Sequence, residues 1–168
     1  PKINQKLSGS DRYLTPLKAV EVFDAGRTYD DGHPPETIEI GDQTIPNVRR
    51  ESAPGSMLGD RQKEWWKNTV ARSTATWTVW GHGVPLMPMR IDLGAVDPDA
   101  QTVVMTTDTW DGYLTERREL LSFVQDADTR LVSLSGDNHN SFAGLLHPTF
   151  ESAGETPIGA EFSVCGIS

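Results

Sequence analysis

A chain of 168 residues is long enough for one domain with its own core, and 36% hydrophobic residues with five tryptophans argue for a globular fold over disorder. A net charge of −9 without any run of Lys or Arg argues against a nucleic-acid surface built on clustered cations. It leaves a phosphate ester open as substrate, because bound metal ions supply positive charge locally.

Residues 1–16 read as a polar, irregular lead-in ending in Thr15-Pro16. Residues 17–23 are half-apolar and β-leaning, a strand that stops at Asp24-Ala25-Gly26. Residues 30–56 are dense in Pro, Gly, Asp and Asn, with one short strand at Thr37–Ile40. Loops beyond about 12–15 residues often serve as lids or substrate walls. Leu58, Gln62, Trp65, Trp66, Thr69 and Val70 recur at helical spacing and predict an amphipathic helix over 58–71 with its stripe in the core. Thr76 to Trp80 alternates as a strand and ends at Gly81-His82-Gly83. A loop over 84–100 precedes a short strand at 101–105. Thr115 is placed to N-cap a helix over 116–126, with Leu120, Leu121 and Val124 inward. The apolar run 131–134 predicts a buried strand, and 142–146 and 161–164 are further strand segments. This alternation is α/β in character. It divides into an irregular part with one strand and a long loop, 1–56, and a regular part, 57–168. No internal repeat is visible.

Two strands end in loops that carry chemistry, Gly81-His82-Gly83 and Gly136-Asp137-Asn138-His139-Asn140-Ser141. Catalytic groups gather at strand ends in such sheets. Asp137 and His139 offer a carboxylate oxygen and an imidazole nitrogen two residues apart, a donor set suited to iron, zinc or manganese. Gly136 lets the backbone turn tightly. Asn138, Asn140 and Ser141 could orient the ligands or hydrogen-bond a phosphoryl oxygen. On spacing alone, a polar turn whose Asp caps the next segment explains the loop equally well. A lone histidine such as His82 is more often structural than a ligand. His33 beside Pro34-Pro35 reads as a surface residue, and His147 before Pro148 carries no signal. Neither a Gly-x-Ser-x-Gly element nor a phosphate-binding P-loop is present. Trp110-Asp111-Gly112-Tyr113 has two readings, a pocket wall or core packing, and aromatic clusters more often pack.

Four ordered blocks resemble the alkaline phosphatase D (PhoD) family. They are Met57-Leu58-Gly59-Asp60-Arg61-Gln62-Lys63-Glu64-Trp65-Trp66 with Ser73-Thr74-Ala75-Thr76-Trp77; Asp108-Thr109-Trp110-Asp111-Gly112-Tyr113 with Glu116-Arg117; Val132-Ser133-Leu134-Ser135-Gly136-Asp137-Asn138-His139; and Gly159-Ala160-Glu161-Phe162. Asp24-Ala25-Gly26-Arg27 is a weaker match. The resemblance covers residues 57–168 and implies a calcineurin-like metallophosphoesterase fold, a sandwich of two mixed β-sheets flanked by helices. This chain would supply only part of it, the C-terminal part of the catalytic domain. It implies metal-dependent phosphomonoesterase or phosphodiesterase activity, with phospholipase D-type enzymes among the relatives. Fe(III) with Ca(II) is the implied metal pair, with Zn(II) or Mn(II) as alternatives, and an extracellular or periplasmic location is implied too. Asp137 and His139 become metal ligands by that resemblance. His82 departs from the family, which more often has an amide side chain there, but a Gly-His after such a strand ligates metal in the wider superfamily. His82 is therefore a candidate ligand or substrate contact, as Asn138 and Asn140 are candidate substrate contacts.

Some family features are missing. No Gly-Asp precedes an N-terminal apolar strand, and no Trp-Asp-Asp-His occurs. Two ligands cannot hold a dinuclear site. The start at Pro1 carries no signal peptide and no Met. The expectation is a proteolytically processed product whose site is completed by an N-terminal fragment of the same precursor. A mononuclear metal hydrolase using Asp137, His139 and His82, or a non-catalytic remnant of the fold, stays open as an alternative. No apolar run reaches the roughly 20 residues of a membrane span. The single Cys165 excludes an internal disulfide and reads as a small buried hydrophobe.

Overall fold

The computed structural model describes residues 5–6, 13–40, 43–95, 97, 99–149 and 156–165. In chain order its regular elements are β1 (Gln5–Lys6), β2 (Tyr13–Pro16), α1 (Leu17–Ala25), β3 (Thr37–Ile40), β4 (Gln43–Pro46), α2 (Gly59–Arg72), β5 (Thr78–Gly81), β6 (Arg90–Ile91), β7 (Val103–Val104), α3 (Leu114–Asp126), β8 (Leu131–Ser135), β9 (Phe142–Leu146) and β10 (Gly159–Ser163). They fall into two compact units, Pro1–Gly55 with Met89–Thr115 and Ser56–Pro88 with Glu116–Ser168. Residues 89–115 group with the N-terminal part. The architecture is mixed α/β, consistent with part of a metallophosphoesterase-like fold.

The first unit holds an antiparallel sheet in the order β1-β2-β7-β6 and the hairpin β3-β4. The lead-in is thus partly strand, and its residues 1–4 and 7–12 lie outside the described ones. The strand expected at 17–23 is instead the helix α1. Ala19, Val22 and Phe23 recur at i, i+3 and i+4, so one stripe packs on Ile38 and Ile40. Valine content suggests a strand, but the burial of that stripe decides for the helix. Gly26 ends it at φ +53, where a Cβ would stand 2.4 Å from the Ser52 carbonyl oxygen. The expected loop 84–100 contains β6. It is tied to Asp111, which accepts from the Met89 N–H at 2.5 Å and the Arg90 Nε–H at 2.8 Å.

The second unit is built on a mixed sheet, β5-β8-β10-β9. β5, β8 and β10 run parallel and β9 antiparallel to β10. Trp66 of α2 meets Trp80 of β5 at 4.7 Å and Phe123 of α3 at 6.5 Å between ring centroids. Leu120, Leu121 and Val124 of α3 are buried as expected, with Leu131 and Leu146 of the sheet. The helical stripe of α2 is narrower than its spacing predicts. Trp66 and Val70 are buried, but Trp65 is 62% exposed. β8 is not buried on both faces either, since Leu131 and Ser133 point inward and Leu134 outward. That outward face is apolar and exposed. Val79, Leu134, Phe162 and Leu145 occupy it on four strands, in a register that pairs Leu134 with Phe162 and Val79 with Val132. Among the described residues no helix is long and apolar enough to cross a membrane.

Candidate metal centre

Because β5 and β8 are parallel neighbours, Gly81-His82-Gly83 and the loop from Gly136 leave the sheet at the same edge. The His82 N–H donates to the Leu134 carbonyl at 3.0 Å, extending the pairing one residue past β5. In the second loop Asp137 (φ 67°) and His139 (φ 42°) both take the left-handed conformation. For residues with a Cβ this costs about 1–3 kcal/mol each, and such strain collects at functional sites. Asp30, Asp31 and Asp128 share it in turns, so His139 is the more telling case. Both side chains are exposed and, among the described residues, make no hydrogen bond or ion pair. Ser141 closes the loop. Its Oγ accepts from the Cys165 N–H at 3.3 Å, just after β10. Cys165 is exposed, against the expectation of burial.

His82 points elsewhere. Its Nε2 lies 2.6 Å from Ser133 Oγ, which donates to Glu161 Oε1 at 2.9 Å. The ring also packs on Trp80 at 4.6 Å between centroids. Glu161 is fully buried and accepts the N–H groups of Leu86 at 2.9 Å and Met87 at 2.6 Å. Arg117, also buried, donates from Nε to the Leu86 carbonyl at 2.7 Å. Leu86 is therefore held at both backbone polar groups. Burial holds the His82 pKa below its usual 6.5, against the opposing pull of the Glu161 carboxylate and a hydrogen bond to the Val84 backbone.

Ser133, Glu161 and Arg117 lie within blocks that carry the family resemblance, but nothing in those blocks gives them a role. The legible signal is a polar residue at an inward strand position, Ser133 behind Leu131 and Glu161 behind Gly159. Asn138 is half-buried and Asn140 exposed in the same loop as Asp137 and His139. His33 sits on the surface, its Nδ1 3.1 Å from the Asp30 carbonyl oxygen. The Trp110–Gly112 turn serves both readings in the first unit. Trp110 and Asp111 are buried, whereas Gly112 and Tyr113 line a cavity of about 260 Å³ with Asp24 and Arg49. None of the candidate ligands lines that cavity.

Among the described residues no three His, Cys, Asp or Glu side chains gather as a closed metal cage. The donor chemistry of Asp137 and His139 fits an ion such as iron, zinc or manganese, as two ligands of a larger set.

Known proteins resemble this chain. A model of the family described as PhoD-like phosphatase matches residues 16–168. Alkaline phosphatase D of Bacillus subtilis (strain 168) is 31% identical over 108 residues, which are 64% of this chain and 18% of that protein. A solved structure titled "Structure of PhoD" superposes with a TM-score of 0.59 at 30% identity, over 66% of this chain and 20% of that one. The chain thus spans about a fifth of the length of these relatives.

Proposed function

Because the chain belongs to the PhoD-like phosphatase family, we propose that it supplies part of the catalytic centre of a metal-dependent phosphate-ester hydrolase, acting on phosphomonoesters or phosphodiesters. The observation that carries this reading is the exposed turn in which Asp137 and His139 hold left-handed backbones at a strand end. Strain of this kind collects at functional sites, and here it falls on two residues that carry metal donors.

In this reading the Asp137 carboxylate and the His139 imidazole hold metal, while His82, turned toward Ser133 and Glu161, does not join them as a third ligand. The bound metals, Fe(III) with Ca(II) or another divalent ion in their place, would supply the Lewis acidity that activates water and neutralises the phosphoryl group. The amides of Asn138 and Asn140 donate to a phosphoryl oxygen and orient the ester. Two donors do not complete a site, so the remaining ligands belong to the rest of the precursor, its N-terminal part. The enzyme would act outside the cytoplasm, extracellularly or in the periplasm.

The full-length protein tests this. Asp137→Asn and His139→Ala should each lower turnover of phosphate esters by more than about a hundredfold, since even outer-shell partners of a metal are worth about 10–100-fold. Metal content should fall in parallel while the circular dichroism spectrum stays unchanged. Unaltered rates in both variants would refute the assignment. Separately, mixing this chain with the N-terminal part should restore metal binding that neither has alone.

A further inference from the structure

The cavity of the first unit takes no part in the proposed hydrolysis. It is built wholly within that unit, from residues of α1, of the segment after β4 and of the turn ahead of α3. We propose that it binds an uncharged single-ring molecule bearing a hydroxyl, the chemical class of a phenol.

Size and lining point to a ring. An apolar cavity of about 150 Å³ is enough to hold benzene. This one, of about 260 Å³, has room for a six-membered ring with a polar substituent. Val20, Phe23 and Tyr113 give it apolar and aromatic walls, the surface on which a flat ring packs best.

Charge narrows the class. Asp24 and Arg49 both line the cavity, one of each sign. Asp24 is buried, and its Oδ2 accepts the Thr115 N–H at 2.7 Å and the Thr115 hydroxyl at 2.6 Å. Arg49 donates from Nε to the Phe23 carbonyl at 2.8 Å and from Nη2 to the Ala53 carbonyl at 2.6 Å. Both charged groups are thus tied to the fold. An anion drawn to Arg49 also meets Asp24, and a cation drawn to Asp24 also meets Arg49. A neutral molecule meets neither repulsion. The hydroxyls of Thr107 and Tyr113 form no hydrogen bond to another described residue, and each can give or take one with a ligand hydroxyl. The inference rests on the first unit alone and stands whether or not the hydrolase reading holds.

Phenol, titrated at neutral pH into protein labelled at its Val methyls and its Phe and Tyr rings, reads the site by NMR. Saturable shifts should appear at Val20, Phe23 and Tyr113, with a dissociation constant of about 1 mM. Benzoate and benzylammonium, the anionic and cationic counterparts, should bind more weakly by about tenfold. Thr107 is exposed, so Thr107→Trp should narrow the mouth of the cavity without touching the core, and weaken phenol by about tenfold. The absence of saturable shifts at Val20, Phe23 and Tyr113 overturns the proposal, as do shifts confined to the exposed sheet face at Val79, Leu134 and Phe162. Benzoate or benzylammonium binding as tightly as phenol overturns it too. So does a folded Thr107→Trp protein that takes phenol as the wild type does.

Discussion

At the scale of single residues, Asp137 and His139 are held where a side chain is strained and an unsubstituted backbone is not. His139→Gly should therefore cost no stability, and should raise it by up to about 1 kcal/mol, while removing a metal donor. Urea unfolding of the metal-free protein measures the first effect and metal titration the second. A second residue-scale effect concerns acidity. The folded His82 has a pKa below 6.5, so on acidification the unfolded chain takes up its proton first. Its contribution to stability is full above pH 6.5, falls as pH drops through that value, and levels off below the folded pKa. His82→Gln should flatten this part of the stability profile, measured by urea unfolding between about pH 7.5 and 5.5. The candidate donors themselves were legible in the sequence, because Asp137 and His139 sit in a Gly-led turn at a strand end. Ser133 and Glu161 were not. Their partners are 28 residues apart from one another and 51 and 74–75 residues from His82 and the 86–87 backbone, distances along the chain that no local pattern spans.

At the scale of elements, both long helices begin on a carboxylate borrowed from a remote part of the chain. Glu116 accepts the Ser56 hydroxyl at 2.7 Å and the N–H groups of Met57 and Leu58 at 2.6 and 3.1 Å, just ahead of α2. Leu58 is the N-cap of α2 and Met57 precedes it, so the negative charge sits at the positive end of the helix dipole. Glu116→Ala should cost about 2–3 kcal/mol in chemical denaturation, with Glu116→Gln intermediate. Asp24 plays the same part for α3. Its Oδ2 accepts the Thr115 N–H at 2.7 Å and hydroxyl at 2.6 Å. Thr115 is thus the second residue of the helix rather than its cap, and Asp24→Ala should cost about 1–2 kcal/mol by the same measurement. The extents of α2, β3, β5, β8 and β9 followed from periodicity to within two residues or so. α1 did not, because its nine residues, with Val20, Val22 and Phe23, carry a strand's leaning and a helix's spacing together.

At the scale of the whole molecule, about a fifth of a relative's length still forms two units with their own sheets. The α/β class was readable from the alternation of elements. The grouping of 89–115 with the N-terminal unit was not, since it depends on Asp111 and on the pairing of β7 with β2, both long-range. The second unit's sheet bears Val79, Leu134, Phe162 and Leu145 on its open face, each 45–62% exposed. Between copies of an isolated chain this face is attractive, while a net charge of −9 is repulsive. The two forces have different ranges. Repulsion acts over about 10 Å at 0.1 M salt and shrinks to about 3 Å at 1 M, whereas apolar attraction survives added salt. Light scattering should therefore show the chain dispersed in dilute buffer and clustering as ionic strength rises. Leu134→Thr with Phe162→Thr should push the onset to higher salt. The open sheet face makes the chain's colloidal behaviour a balance set by the solvent's ions.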